Sequence, residues 1–226
     1  MEIEVLPDAQ AVAGRGAAYV AEQARAAVEN HGTFTFAVSG GHTPWAMFAR
    51  LVREDMPWSR TAVYQVDERV APAGDPDRNL THLLESLPPS SGVDLHPMPV
   101  EADDLEAAAD EYARSLPDRF DLVHLGLGPD GHTASLVPDD PVLEVTDRDV
   151  ALTAEYMGRP RMTLTYPTLD RADRIMWLVT GEDKVDALRR LRAGDRTIPG
   201  GRVSRARAIV VSDAAAAGER TDEEAT

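Results

Sequence analysis

Short apolar, β-branched runs alternate along the chain with longer stretches in which Ala, Leu and charged residues recur at helical spacing. The runs at 3–6 (IEVL), 33–38 (TFTFAV), 61–66 (TAVYQV), 93–98 (VDLHPM), 121–127 (DLVHLGL), 174–180 (RIMWLVT) and 207–213 (RAIVVSD) predict strands. Helices are expected from Asp8, a suitable N-cap, to Glu29, from near Pro44 onward, and over about 79–87, 103–115 and 182–192. The segments 149–156 and 161–166 read as a strand pair.

Strands that are apolar on both faces and alternate with helices predict an α/β fold. The expected form is a Rossmann-like three-layer α/β/α arrangement with a mainly parallel central sheet. Ligands of such sheets bind where the carboxyl ends of strands meet the following loops. Three polar segments fall at such ends: SGGHTP (39–44), DERVAP (67–72) and GPDGHTASL (128–136). One shared site is therefore expected. No linker or repeat divides the chain, so a single domain over 1–213 is expected, followed by a disordered acidic tail at 214–226. The longest irregular stretches, 67–79 and 137–149, are expected to be site loops.

Composition narrows the picture. No run approaches the roughly 18 apolar residues of a membrane span, and MEIEVLPDAQ lacks the basic start and apolar core of a signal peptide. Cysteine is absent, which removes disulfides and thiolate chemistry, so a cytoplasmic protein with no membrane partner is expected. A formal charge of −16 opposes nucleic-acid binding. It also requires that any anionic small-molecule ligand be met by a local cluster of cations.

The candidate chemistry lies in the strand-end segments. In SGGHTP, backbone N–H groups at a helix start and the hydroxyls of Ser39 and Thr43 suit an anion, and Gly40 and Gly41 allow close approach; a tight turn with a capping Thr would use the same residues. In GLGPDGHTASL, Asp130 lies two residues before His132, close enough to orient an imidazole that takes a proton from water. Asp67 could assist that chemistry and Arg69 could grip a phosphate or an oxyanion. Lys184 is the chain's one lysine among arginines and also follows a strand, which suggests a need for a compact ammonium. Arg161, opening RMTLTY, is a further candidate cation. The six histidines show no HxxxH or HExxH spacing, so no metal site and no cofactor are expected.

In their order, SGGHTP, VDERVAP with Asn79, LGLGPDGHTASLVP (125–138), RMTLT (161–165), GEDKVDAL (181–188) and IVVSDAAA (209–216) resemble the 6-phosphogluconolactonase family, within the larger group that includes glucosamine-6-phosphate deaminase. The resemblance implies metal-independent hydrolysis of 6-phospho-D-glucono-1,5-lactone to 6-phospho-D-gluconate in the oxidative pentose phosphate pathway. It implies His132 as the base, Asp67 or Asp130 as the group that orients the imidazole or the water, and Ser39, Gly40, Gly41, Thr43, Arg69, Arg161 and Lys184 around the phosphate. His42, Arg78 and Val137 depart from the family's usual residues.

Two alternatives stand beside this expectation. A deaminase or isomerase of glucosamine 6-phosphate would carry GHIAFNEP where this chain has GHTASLVP, which lacks the carboxylate of that motif. A non-catalytic sugar-phosphate sensor would carry a basic DNA-binding segment, for which the chain has neither spare length nor charge.

Overall fold

A computed structural model describes residues 1–88 and 91–219. The strands are β1 (Glu2–Leu6), β2 (Phe34–Val38), β3 (Thr61–Gln65), β4 (Asp67–Arg69), β5 (Asp94–His96), β6 (Leu122–Leu125), β7 (Val150–Leu152), β8 (Arg161–Leu164), β9 (Ile175–Val179) and β10 (Ala208–Asp213). The α-helices are α1 (Ala9–His31), α2 (His42–Leu51), α3 (Asn79–Ser86), α4 (Leu105–Ser115), α5 (Tyr166–Asp170), α6 (Val185–Ala193) and α7 (Ala214–Ala217). The first helix shows how sequence dictates its limits. The Asp8 carboxylate accepts the Ala11 N–H at 2.8 Å, and Gly32 closes the helix in a left-handed conformation. Its buried stripe is mostly Ala and Val, which lets the helix lie close on the sheet.

Seven strands form one sheet in the order β1-β10-β9-β6-β2-β3-β5, and every pairing in it is parallel. Successive side chains point to opposite faces, so each strand contributes to two cores. Phe36 and Leu122 join α1 and α2 on one face; Ala37, Val123 and Leu125 join α4, α5 and α6 on the other. This is the expected three-layer α/β/α arrangement. From β2 the chain proceeds outward through β3 to β5, and from β6 it proceeds the other way through β9 to β10. The order reverses between β2 and β6, and SGGHTP and GLGPDGH follow those two strands.

Four expectations need correction. Asp67–Arg69 is a short strand rather than loop: β4 pairs antiparallel with β8, which pairs with β7 in a separate three-stranded sheet. Its polarity hid it, because Asp67 and Glu68 are buried with their carboxylates satisfied by neighbouring donors. The tail does not begin at 214. Asp213 accepts the Ala216 N–H at 2.8 Å and caps α7, while 220–226 lie outside the described residues. The helix expected from 182 opens as a 3-10 turn over Glu182–Lys184 before α6. Finally, residues 137–149 are absent from the cleft lining described below; Asp140 instead ties the segment down by accepting from the Val142 and Ala154 amides. Among the described residues no helix is long and apolar enough to cross a membrane.

Candidate active site

A cleft of about 410 Å³ opens at the carboxyl ends of the central strands. Ser39, Gly40, Gly41 and Thr43 line it from the β2–α2 connection, Asp67 and Arg69 from β4, His132 from the β6 loop, Arg161 from β8, and Lys184 from the turn after β9. Nine of the ten expected site residues therefore share one cavity. The tenth, Asp130, reaches it through His132.

The anion-binding side is built on close backbone approach. A methyl group on Gly40 would overlap the Asn79 side-chain amide, so only glycine lets the β2 loop lie against α3. The N-terminus of the ten-residue α2 opens onto the cleft without a side-chain cap. Thr43 does not cap it; its hydroxyl bonds that of Thr180 at 2.8 Å. The buried Ser39 hydroxyl finds no partner among the described residues, which suits a group that receives an external ligand oxygen. His42 is exposed on the cleft rim.

Three cations face this side. Lys184 Nζ bonds its neighbour Asp183 at 2.7 Å. Arg69 Nη1 donates to the Asp77 carbonyl at 3.0 Å and to the Asn79 side-chain oxygen. Arg161 is nearly buried, and its guanidinium lies 4.9 Å from the centre of the Tyr156 ring. Burial, followed by the repulsion of Arg69, lowers the Arg161 pKa against the pull of Asp67.

The imidazole side is tighter. Asp130 Oδ1 accepts from the His132 backbone N–H at 3.1 Å and lies 2.6 Å from His132 Nδ1. Partial burial pushes the Asp130 carboxyl up, but the amide and ring of His132 outweigh it and hold it below the usual carboxylate range. A side chain on Gly128 would overlap the imidazole, so glycine is required under it. With Nδ1 committed to Asp130, Nε2 is the nitrogen left for other chemistry.

Asp67 is not bonded to His132. The Ser135 hydroxyl donates to its Oδ2 at 2.6 Å, and Asn79 Nδ2 donates to its backbone carbonyl at 3.0 Å. Of the two carboxylates considered for orienting His132, Asp130 is the one in contact with its ring.

Several groups at the site were not anticipated from the sequence. Glu68, fully buried, accepts from the backbone amides of Arg69, Asn79 and Leu80 and from Gln65 Nε2, at 2.7–2.9 Å. It thereby fixes Asn79 between Asp67 and Arg69. Arg78 is buried between Glu68 (3.6 Å) and Glu101 (3.0 Å). Tyr156 touches both halves of the site. The Asp-Glu-Arg and Gly-Pro-Asp-Gly-His segments signal themselves through polarity and glycine; these supporting groups depend on contacts between distant segments.

The parallel sheet, the topological switch and a cleft that brings three cations together with an imidazole–carboxylate pair define an α/β protein of the class whose ligands bind at the carboxyl ends of the strands. The chain belongs to the glucosamine-6-phosphate isomerase/6-phosphogluconolactonase family, whose sequence profile matches residues 7–211. It is 36% identical over 202 residues to a 6-phosphogluconolactonase of Synechocystis sp., covering 83% of each chain. It is 31% identical to one of Streptomyces coelicolor, covering 96% of this chain and 94% of the relative. The crystal structure of a 6-phosphogluconolactonase from Shewanella baltica superposes with a TM-score of 0.86 at 25% identity, over 94% of this chain and 97% of that one.

Proposed function

We propose that the chain hydrolyses 6-phospho-D-glucono-1,5-lactone to 6-phospho-D-gluconate in the oxidative pentose phosphate pathway, acting in the cytoplasm on a small-molecule substrate. The observation that carries the mechanism is the 2.6 Å contact between His132 Nδ1 and Asp130 in a cleft ringed by Arg69, Arg161 and Lys184. Ser39, Gly40, Gly41 and Thr43, with Lys184 and the two arginines, take the phosphate. Lys184 exchanges Asp183 for phosphate oxygens on binding. His132 Nε2 accepts a proton from water as the oxygen attacks the lactone carbonyl, and Asp130 stabilises the imidazolium that forms. Arg69 and backbone amides offset the charge on the tetrahedral oxyanion. On collapse the C1–ring-oxygen bond breaks and the His132 proton passes to that oxygen. Asp67 holds Ser135 and Asn79 in place at the cleft wall.

Deamination or isomerisation is disfavoured by the residues after His132. Leu136 is fully buried in the core and Ser135 is spent on Asp67, so this segment supplies no carboxylate to the cleft. The test is to generate the lactone in situ from glucose 6-phosphate and its dehydrogenase, and to follow 6-phosphogluconate with and without the protein. Formation faster than spontaneous opening is expected; an unchanged rate would refute the proposal.

A further inference from the structure

The histidine–aspartate pair is local: its members are two residues apart on one loop, and Asp130 is exposed at the surface. A base on such a loop needs an anchor from elsewhere if its ring is to hold one orientation. Tyr156 is placed to provide it. Its ring meets the His132 ring edge-on, with centroids 5.7 Å apart and planes at 63°. Its hydroxyl lies 3.5 Å from Asp130 Oδ2, the carboxylate oxygen that does not hold the imidazole. The Arg161 guanidinium sits over the ring at 4.9 Å. Burial, then the Asp130 carboxylate, raises the phenol pKa, which keeps the hydroxyl a donor.

The segment that carries Tyr156 is itself held. Tyr156 and Arg159 form a bridged turn through Met157 and Gly158, both at positive φ. Arg159 then pairs with Asp75 at 3.0 Å and Asp77 at 3.6 Å, in the loop that leads to Asn79. Tyr156 is thus fixed from β8 on one side and from the 70–78 loop on the other.

We propose that Tyr156 is a positioning residue that locks the orientation and tautomer of His132 through Asp130 and couples that pair to Arg161. The hydroxyl acts on Asp130, and the ring acts on His132 and Arg161, so two substitutions separate the contributions. The role rests on the lactone-opening function proposed above. One readout is therefore independent of turnover: the imidazole ¹⁵N spectrum of the free protein, with the His132 signals assigned through His132→Ala.

Wild type should show one dominant His132 tautomer with the proton on Nδ1. In Tyr156→Phe the two tautomers should mix, and kcat should fall about 3- to 10-fold with KM within about twofold. In Tyr156→Leu, KM should also rise several-fold, because Arg161 loses its ring. Wild-type ¹⁵N spectra in both variants would overturn the proposal, whether or not kcat or thermal stability had fallen. Altered spectra in the variants, with wild type itself showing no lactonase activity, would sustain the positioning role and refute the function instead.

Discussion

At His132 a neighbour two positions upstream decides which ring nitrogen can work. Asp130 occupies Nδ1, so Asp130→Asn should leave the fold intact and lower kcat about 10- to 100-fold, read in steady-state assays beside wild type. Because Asp130 is held below the usual carboxylate range, it stays ionised as the pH falls through mildly acidic values. Under the proposed function, Lys184 exchanges its bond to Asp183 for one to phosphate. Lys184→Ala should raise KM about tenfold or more and change kcat little; an unchanged KM would remove Lys184 from the phosphate site. The place of both residues at the cleft was legible in the sequence, His132 from its glycine-punctuated loop and Lys184 from its isolation among arginines. Tyr156 was not, because its meaning comes from Asp130 and Arg161, and the contact to Asp130 spans 26 positions of sequence.

At the scale of elements, the alternation of apolar runs and helices fixed the strand positions to within a few residues, because burial on both faces leaves a continuous apolar signature. The pattern failed at β4, where Asp-Glu-Arg looks like loop and forms a strand. Only the tertiary contacts reveal why: two of its carboxylates face buried donors. Glu68 is the clearest case. Glu68→Gln would set an amide group against backbone N–H donors at the start of α3, and it should lower stability by roughly 2–4 kcal/mol in urea unfolding. The same change should loosen Asn79 and, through it, Arg69. Gly40→Ala should act at the same junction, since its methyl group overlaps Asn79.

Across the whole molecule, the acidic surface coexists with a local ring of cations, and the sheet's switch point places them together. One buried group outside the cleft also sets a pH dependence. His124 on β6 is fully buried with neither ring nitrogen partnered among the described residues, and burial pushes its pKa from 6.5 down to about 3. The unfolded chain therefore binds a proton below about 6.5 that the folded chain refuses. Its contribution to stability is complete above that value and declines as pH falls towards 3, by about 1.4 kcal/mol per pH unit. Urea midpoints measured from pH 7 to 5 should fall accordingly, and His124→Met should flatten that slope. The assignment of His132 as the base concerns the loop that follows the carboxyl end of the same strand. It is tested most directly by following lactone disappearance and 6-phosphogluconate formation by NMR, with wild type and His132→Ala side by side. Wild type should open the lactone far faster than buffer alone, with His132→Ala at least about 100-fold slower. Equal rates for the two proteins would contradict the assignment of His132 as the base.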